Sequence, residues 1–157
     1  SSISIPDIFC YFQSMRASHK IVFASTNLNK LQEMKSLLAK YPGIELVSPV
    51  GLLRNAEKIG AVETFSTYAE NAAAKARLVN HGCHYPALAD DSGIEVMALE
   101  GRPGVRSARD FNVDTLLAAI KGQANRQARF VSHVALCIEG TLIAASGELT
   151  GTLVDAP

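Results

Sequence analysis

Ala87-Leu88-Ala89-Asp90-Asp91-Ser92-Gly93-Ile94-Glu95-Val96 decides the fold class. An apolar run stops at two adjacent carboxylates, a Ser-Gly pair follows, and alternation resumes at Ile94 and Val96. We expect a buried strand that ends in Asp-Asp, with Ser92-Gly93 turning the chain. In open α/β sheets, ligands bind at the carboxyl ends of strands. Neighbouring strand residues point to opposite faces, so only one of the two aspartates faces a bound group unless the turn begins there. Two adjacent carboxylates repel, and a cation beside them relieves that. Mg²⁺ suits such oxygen ligands and commonly takes one or two carboxylates plus substrate phosphates. The alternative is an acidic turn, with Asp and Gly present for turn chemistry.

Upstream, Lys20-Ile21-Val22-Phe23-Ala24-Ser25 has the pattern of a buried first strand. Ser25, Thr26 and Asn27 are helix-capping residues. Leu31, Met34, Leu37 and Leu38 then fall at helical spacing up to Tyr41-Pro42-Gly43. Ile44 to Val47 is a second strand, and residues 48 to 62 carry no clear period. Thr67 and Glu70 have capping-box spacing and predict a helix from Tyr68 to about His81, stopped by Gly82. Its Ala69, Ala72, Ala73, Ala76 and Val79 form a small-residue face, and Thr67, Asn71 and Lys75 form a polar one.

Downstream, Gly101-Arg102-Pro103-Gly104 is a loop by composition. Asp114 is expected to cap a short helix, Thr115 to Lys121. Ala128 to Glu139 and Leu142 to Val154 alternate around Gly140-Thr141 as a hairpin of long strands. This order predicts an α/β fold, an α/β/α domain around a long mixed, twisted β-sheet.

Composition narrows the function. The 157 residues suit one domain. Fifteen basic and fifteen acidic residues cancel, so nothing argues for a nucleic-acid or membrane partner, and phosphate recognition must be local. Cys10, Cys83 and Cys137 form no Cys-x-x-Cys pair, and His19, His81, His84 and His133 make no metal-ligand pattern. Scattered cysteines fit a reduced, cytoplasmic setting. Residues 1–19 are expected to be an N-terminal extension, with a native start near Met15, and residues 20–157 to be the domain.

Ser25 to Lys30 lies at a strand-to-helix junction, where unpaired N–H groups and side-chain donors suit an anion. It is not a Walker A loop, since the glycines and the Gly-Lys-Ser/Thr ending are missing. Simple capping explains the same residues. Asp90-Asp91 also lacks the Asp-x-Asp-x-Thr spacing of a dehalogenase-type phosphatase.

The ordered set resembles the inosine triphosphate pyrophosphatase family. The matching residues are Phe23 to Glu33, Glu63-Thr64, Glu70-Asn71-Ala72 with Lys75-Ala76-Arg77, Ala89 to Val96, and Leu99 to Arg109. Phe65 stands where the family usually has Gly, and Thr26 and Asn27 are adjacent where Gly often intervenes. The family's Phe-Gly-Tyr-Asp-Pro loop and late Ser-His-Arg, which grip the base, have no counterpart up to Pro157, so we expect a C-terminally truncated member.

The resemblance implies Mg²⁺-dependent hydrolysis of non-standard purine nucleoside triphosphates (ITP, dITP, XTP) to the monophosphate and pyrophosphate. It implies Glu63, Asp90 and Asp91 as metal ligands, with Asp91 also orienting or deprotonating the water. Ser25, Thr26, Asn27, Lys30, Lys75 and Ser92 would bind the substrate, and Arg109 is left open between structure and function. A homodimer is implied. The alternative is a nucleotide-binding or assembly module without turnover.

Overall fold

A computed structural model describes residues 19–110 and 112–155. The expected extension therefore lies outside the described residues, apart from His19. Strands β1 (His19–Phe23), β2 (Ile44–Val47), β3 (Ala87–Val96), β4 (Arg102–Pro103), β5 (Gln127–Ile138) and β6 (Thr141–Thr152) form one sheet. Its order is β2-β1-β3-β5-β6, with β4 on the side of β3. β1 runs parallel to β2 and β3, and the other pairings are antiparallel. This is the mixed sheet expected.

Helix α1 (Leu28–Leu38) covers one face and α2 (Tyr68–Cys83) the other. Leu31 and Leu38 of α1 pack with Ile21, Phe23, Leu88 and Leu136. Ala72, Ala76 and Val79 of α2 pack with Val22, Ala24, Ala87 and Ala89. The period of two along β1 and β3 sorts these sets to opposite sides. Full burial of a side chain such as Phe23 contributes about 1.5–3 kcal/mol. Leu37, expected on the core stripe, is exposed. Leu31 and Leu38 are two turns apart on one face, and Leu37 falls about 100° short of it.

The expected turn at Ser92-Gly93 does not occur. β3 continues for ten residues, because β5 pairs with it at every position from Ala87↔Cys137 to Val96↔Ala128. Gly93 serves close packing instead. A Cβ there would lie 2.3 Å from Gly104 O, 2.7 Å from Ser107 Oγ and 2.8 Å from Tyr68 OH. Ser107 Oγ accepts from the Ile94 amide (2.9 Å) and donates to Gly104 O (2.6 Å).

Three other boundaries move. Residues 56–62 form a 3₁₀ helix that buries Ala56 and Ile59. α2 runs past Gly82 to Cys83 and is capped by His84 in the left-handed region (φ 58°). Gly82 instead makes room for the Leu53 side chain. The short helices α3 (Ser107–Asp110) and α4 (Val113–Ala119) complete the domain. Asn112, not Asp114, caps α4, and its side chain accepts from the Thr115 amide. No described helix is long and apolar enough to cross a membrane.

β1 pairs with β3 only at Val22↔Ala87 and Phe23↔Leu88, and β4 joins β3 only at Glu95 and Val96. Between these contacts β3 has no strand partner on that side among the described residues. The opening lies past the carboxyl end of β1 and contains Asp90, Asp91 and Ser92.

Candidate functional site

α2 begins in the capping box read from the sequence. Thr67 Oγ1 accepts from the Glu70 amide (3.2 Å) and donates to Glu70 Oε2 (2.7 Å). One and two turns on, Asn71 and Lys75 are buried, so this polar face points into the protein rather than into solvent. Asn71 Nδ2 donates to Asp91 Oδ2 at 3.0 Å, and Lys75 Nζ donates to Glu63 Oε1 at 2.5 Å. Arg109 Nη2 donates to the Glu63 backbone carbonyl at 2.6 Å. Burial pushes the Asp91 carboxyl above its ordinary value. The Asn71 hydrogen bond and the Lys75 charge oppose this, while the Glu63 charge adds to it.

Asp90 lies on the other face, because Asp90 and Asp91 are consecutive in an unbroken strand. Its Oδ2 accepts from Lys30 Nζ at 2.8 Å, whereas its Oδ1 is buried without a hydrogen-bond partner among the described residues. Lys30 sits in the first turn of α1. Asn27 caps that turn, with its Oδ1 accepting from the Asn29 and Lys30 amides (3.0 and 3.2 Å). Ser25 Oγ accepts from the Asn27 amide (3.1 Å), and Thr26 is exposed. Two of the amides expected to cradle an anion are thus already capped. Lys30 and Ser92 line a cavity of about 280 Å³.

A larger cavity, about 640 Å³, opens beside the Asp91 face. Glu63, Phe65, Asn71, Glu95, Arg102 and Arg109 are among its lining residues. Glu95 is held by Arg129 at 2.7 Å. Tyr68 stacks on His133, the β5 partner of Asp91, with ring centroids 5.9 Å apart. Burial first, and then the Glu95 carboxylate, push the Tyr68 hydroxyl up to about 12.

The sequence model of the Ham1 family matches residues 21–157 of this chain.

The chain belongs to the Ham1 family.

It is 41% identical over 154 residues to a dITP/XTP pyrophosphatase of Deinococcus radiodurans, covering 90% of this chain and 72% of that protein. It is 34% identical over 155 residues to the dITP/XTP pyrophosphatase of Aquifex aeolicus, covering 88% and 73%. Among solved structures, a HAM1 protein from Coxiella burnetii superposes with a TM-score of 0.72 at 30% identity, covering 88% of this chain and 75% of that one. A nucleoside-triphosphatase, dITP/XTP pyrophosphatase, from Mycobacterium abscessus gives a TM-score of 0.70 at 36% identity, covering 88% and 76%.

In this Ham1-family chain the three carboxylates expected to share a metal divide across the sheet. Glu63 and Asp91 lie on the α2 face and Asp90 on the α1 face. Among the described residues, no three His, Cys, Asp or Glu side chains gather as a ligand cluster. The residues fit a hard cation that needs only one or two carboxylates and takes phosphates besides. Two features support the fit: the unpartnered Oδ1 of Asp90, and the like charges of Glu63 and Asp91, close enough to raise the Asp91 carboxyl.

The sequence reading left Asn71, Tyr68 and Glu95 out of the site. Asn71 carried a usable signal, since it precedes Lys75 by one helical turn on the same polar face. Glu95 lies four residues past Asp91 on the same face of β3 and lines the cavity directly, a signal hidden by the expected turn at Ser92-Gly93. Nothing local marks Tyr68, which reaches the site by stacking on His133. Arg109 is tied to Glu63 across 46 residues of sequence.

Proposed function

We propose that this chain hydrolyses the α–β phosphoanhydride of non-standard purine nucleoside triphosphates (ITP, dITP and XTP). Water is consumed, and the nucleoside monophosphate and pyrophosphate are released. Mg²⁺ is the proposed cofactor, and residues 20–157 form the proposed catalytic domain. The names of the pyrophosphatase relatives support the reaction class. The observation that carries the reading is the Asp91 face itself. There a buried carboxylate, its pKa raised by burial, is held by Asn71 next to the Lys75–Glu63 pair.

A base works best when its pKa approaches the working pH. Asp91 accepts a proton from the attacking water, or orients that water, and Asn71 fixes its carboxylate. Lys30 and Lys75 supply positive charge from opposite faces, with Ser25, Thr26, Asn27 and Ser92 as additional polar contacts for the substrate. Phosphoryl chemistry depends mainly on such positioning and charge stabilisation. Glu63 and Asp91, with Asp90 as a further candidate, would hold Mg²⁺, which when bound neutralises phosphate charge.

The test is incubation of the chain with dITP, XTP or ATP, with and without Mg²⁺, with products resolved by phosphorus NMR. Pyrophosphate and monophosphate in equal amounts, only with the divalent ion, are expected. Stepwise release of orthophosphate would exclude this cleavage site, and binding without turnover would favour a nucleotide-binding module.

A further inference from the structure

Glu63 lies between the 3₁₀ helix and α2, yet both its side chain and its backbone are held. Lys75 takes the carboxylate (2.5 Å) and Arg109 takes the carbonyl (2.6 Å). Two residues on, Phe65 is gripped by a single side chain. Its amide donates to Asn71 Oδ1 (3.0 Å), and its carbonyl accepts from Asn71 Nδ2 (3.5 Å). The same Nδ2 donates to Asp91 Oδ2 (3.0 Å). One buried amide thus joins the segment carrying Glu63 to the strand carrying Asp91. Helix capping does not explain Asn71, since Thr67 caps α2.

We propose that Asn71 is a positioning residue that holds the Glu63–Phe65 segment at a set distance from Asp91, and that Arg109 braces the same segment from α3. The inference rests on the hydrolase reading. It assigns the two residues no contact with substrate. They act by keeping Glu63 and Asp91 together, so their loss lowers turnover more than substrate binding. Side chains that act through geometry behave this way, because small displacements of reacting groups are costly. Aspartate is a poor replacement for Asn71. It keeps an acceptor for the Phe65 amide but places a carboxylate against Asp91.

The experiment uses Asn71→Ala, Asn71→Asp, Arg109→Ala and Arg109→Lys. Asn71→Ala and Asn71→Asp should each lower kcat by on the order of 10- to 100-fold, with KM for dITP changed less than about threefold. Arg109→Ala should lower kcat by roughly tenfold, and Arg109→Lys, which retains one donor for the Glu63 carbonyl, should recover most of it. A second readout is independent of turnover. The chain contains no tryptophan, and Phe65 is 48% exposed, so Phe65→Trp gives a single reporter on the segment. Its time-resolved anisotropy should show restricted motion in the parent and freed motion after Asn71→Ala or Arg109→Ala. Arg109 is exposed, so Arg109→Ala keeps the test decisive if the buried Asn71 variants fail to fold. An active parent whose folded Arg109→Ala variant keeps full kcat and a restricted indole would overturn the inference. An inactive parent would instead sink the hydrolase reading, and the catalytic role proposed here with it.

Discussion

The two faces of β3 hold their carboxylates in different ways. On the α1 face, Lys30 and Asp90 form a pair whose side chains are 37% and 12% exposed. On the α2 face, Lys75 and Glu63 are 5% and 22% exposed, and Asp91 is held by an asparagine rather than by a cation. The contrast lies in the lysines: Lys75 is far less exposed than Lys30, and so less screened by solvent, whereas Glu63 is somewhat more exposed than Asp90. On the hydrolase reading proposed above, recruitment and chemistry fall to different faces: the more exposed Lys30 would pass from Asp90 to an incoming phosphate, whereas Asn71 holds the buried Asp91 in place.

The sharpest way to break this comparison is Asp91→Asn. It preserves shape and removes the charge, so kcat should fall by on the order of 10³-fold or more, because groups that support metal-assisted hydrolysis contribute several kcal/mol. Steady-state pyrophosphate release measures it, and near-normal turnover would remove Asp91 from the chemistry. Next in size is Lys75→Ala. It strips Glu63 of its buried ammonium partner on the α2 face, and urea titration should show a loss of about 3 kcal/mol of stability. A change within about 0.5 kcal/mol would show that water reaches Glu63 freely.

Lys30→Ala should behave differently. Its ammonium is more exposed than that of Lys75, so its cost in stability should stay under about 1 kcal/mol. Triphosphate binding should weaken by about 1.5–3 kcal/mol, the cost of losing a charged hydrogen bond, and monophosphate binding by less. Calorimetric titration with dITP and dIMP checks the difference. Equal weakening for both would place Lys30 away from the terminal phosphates.

The smallest effect concerns stability and pH. Burial raises the Asp91 carboxyl above its unfolded value, so folding favours its protonated form. That contribution is fully present below the unfolded pKa and is lost as pH rises through the folded pKa, leaving a buried charge that opposes folding. In metal-free buffer at pH 7, Asp91→Asn should therefore raise Tm, and the gain should shrink as the pH falls into the carboxylate range. Calorimetric scans across that range test it, and a pH-independent difference would count against burial as the cause.

Elements whose signals are local were legible in the sequence. β2 occupies the expected residues. The Thr67 cap and the hairpin of β5 and β6 also formed as expected, because caps and alternation depend on neighbours a few residues away. Local signals misled where a long-range partner overruled them. Ser92-Gly93 has the composition of a turn, but β5, about 40 residues later, pairs straight through it. Gly82 has the composition of a helix stop, but α2 continues until His84.

Family, α/β class and the cast of charged residues were readable before folding, because they reside in residue types and their order. How the charges divide depended on packing and strand pairing. An unbroken β3 sends Asp90 and Asp91 to opposite faces, and a helix on each side answers one of them. The direction of the polar face of α2 was likewise settled by packing. Asn71 and Lys75 would suit solvent equally well on an isolated helix. They are buried because Ala72, Ala76 and Val79 of the same helix dock on the sheet and carry them inward to Asp91 and Glu63.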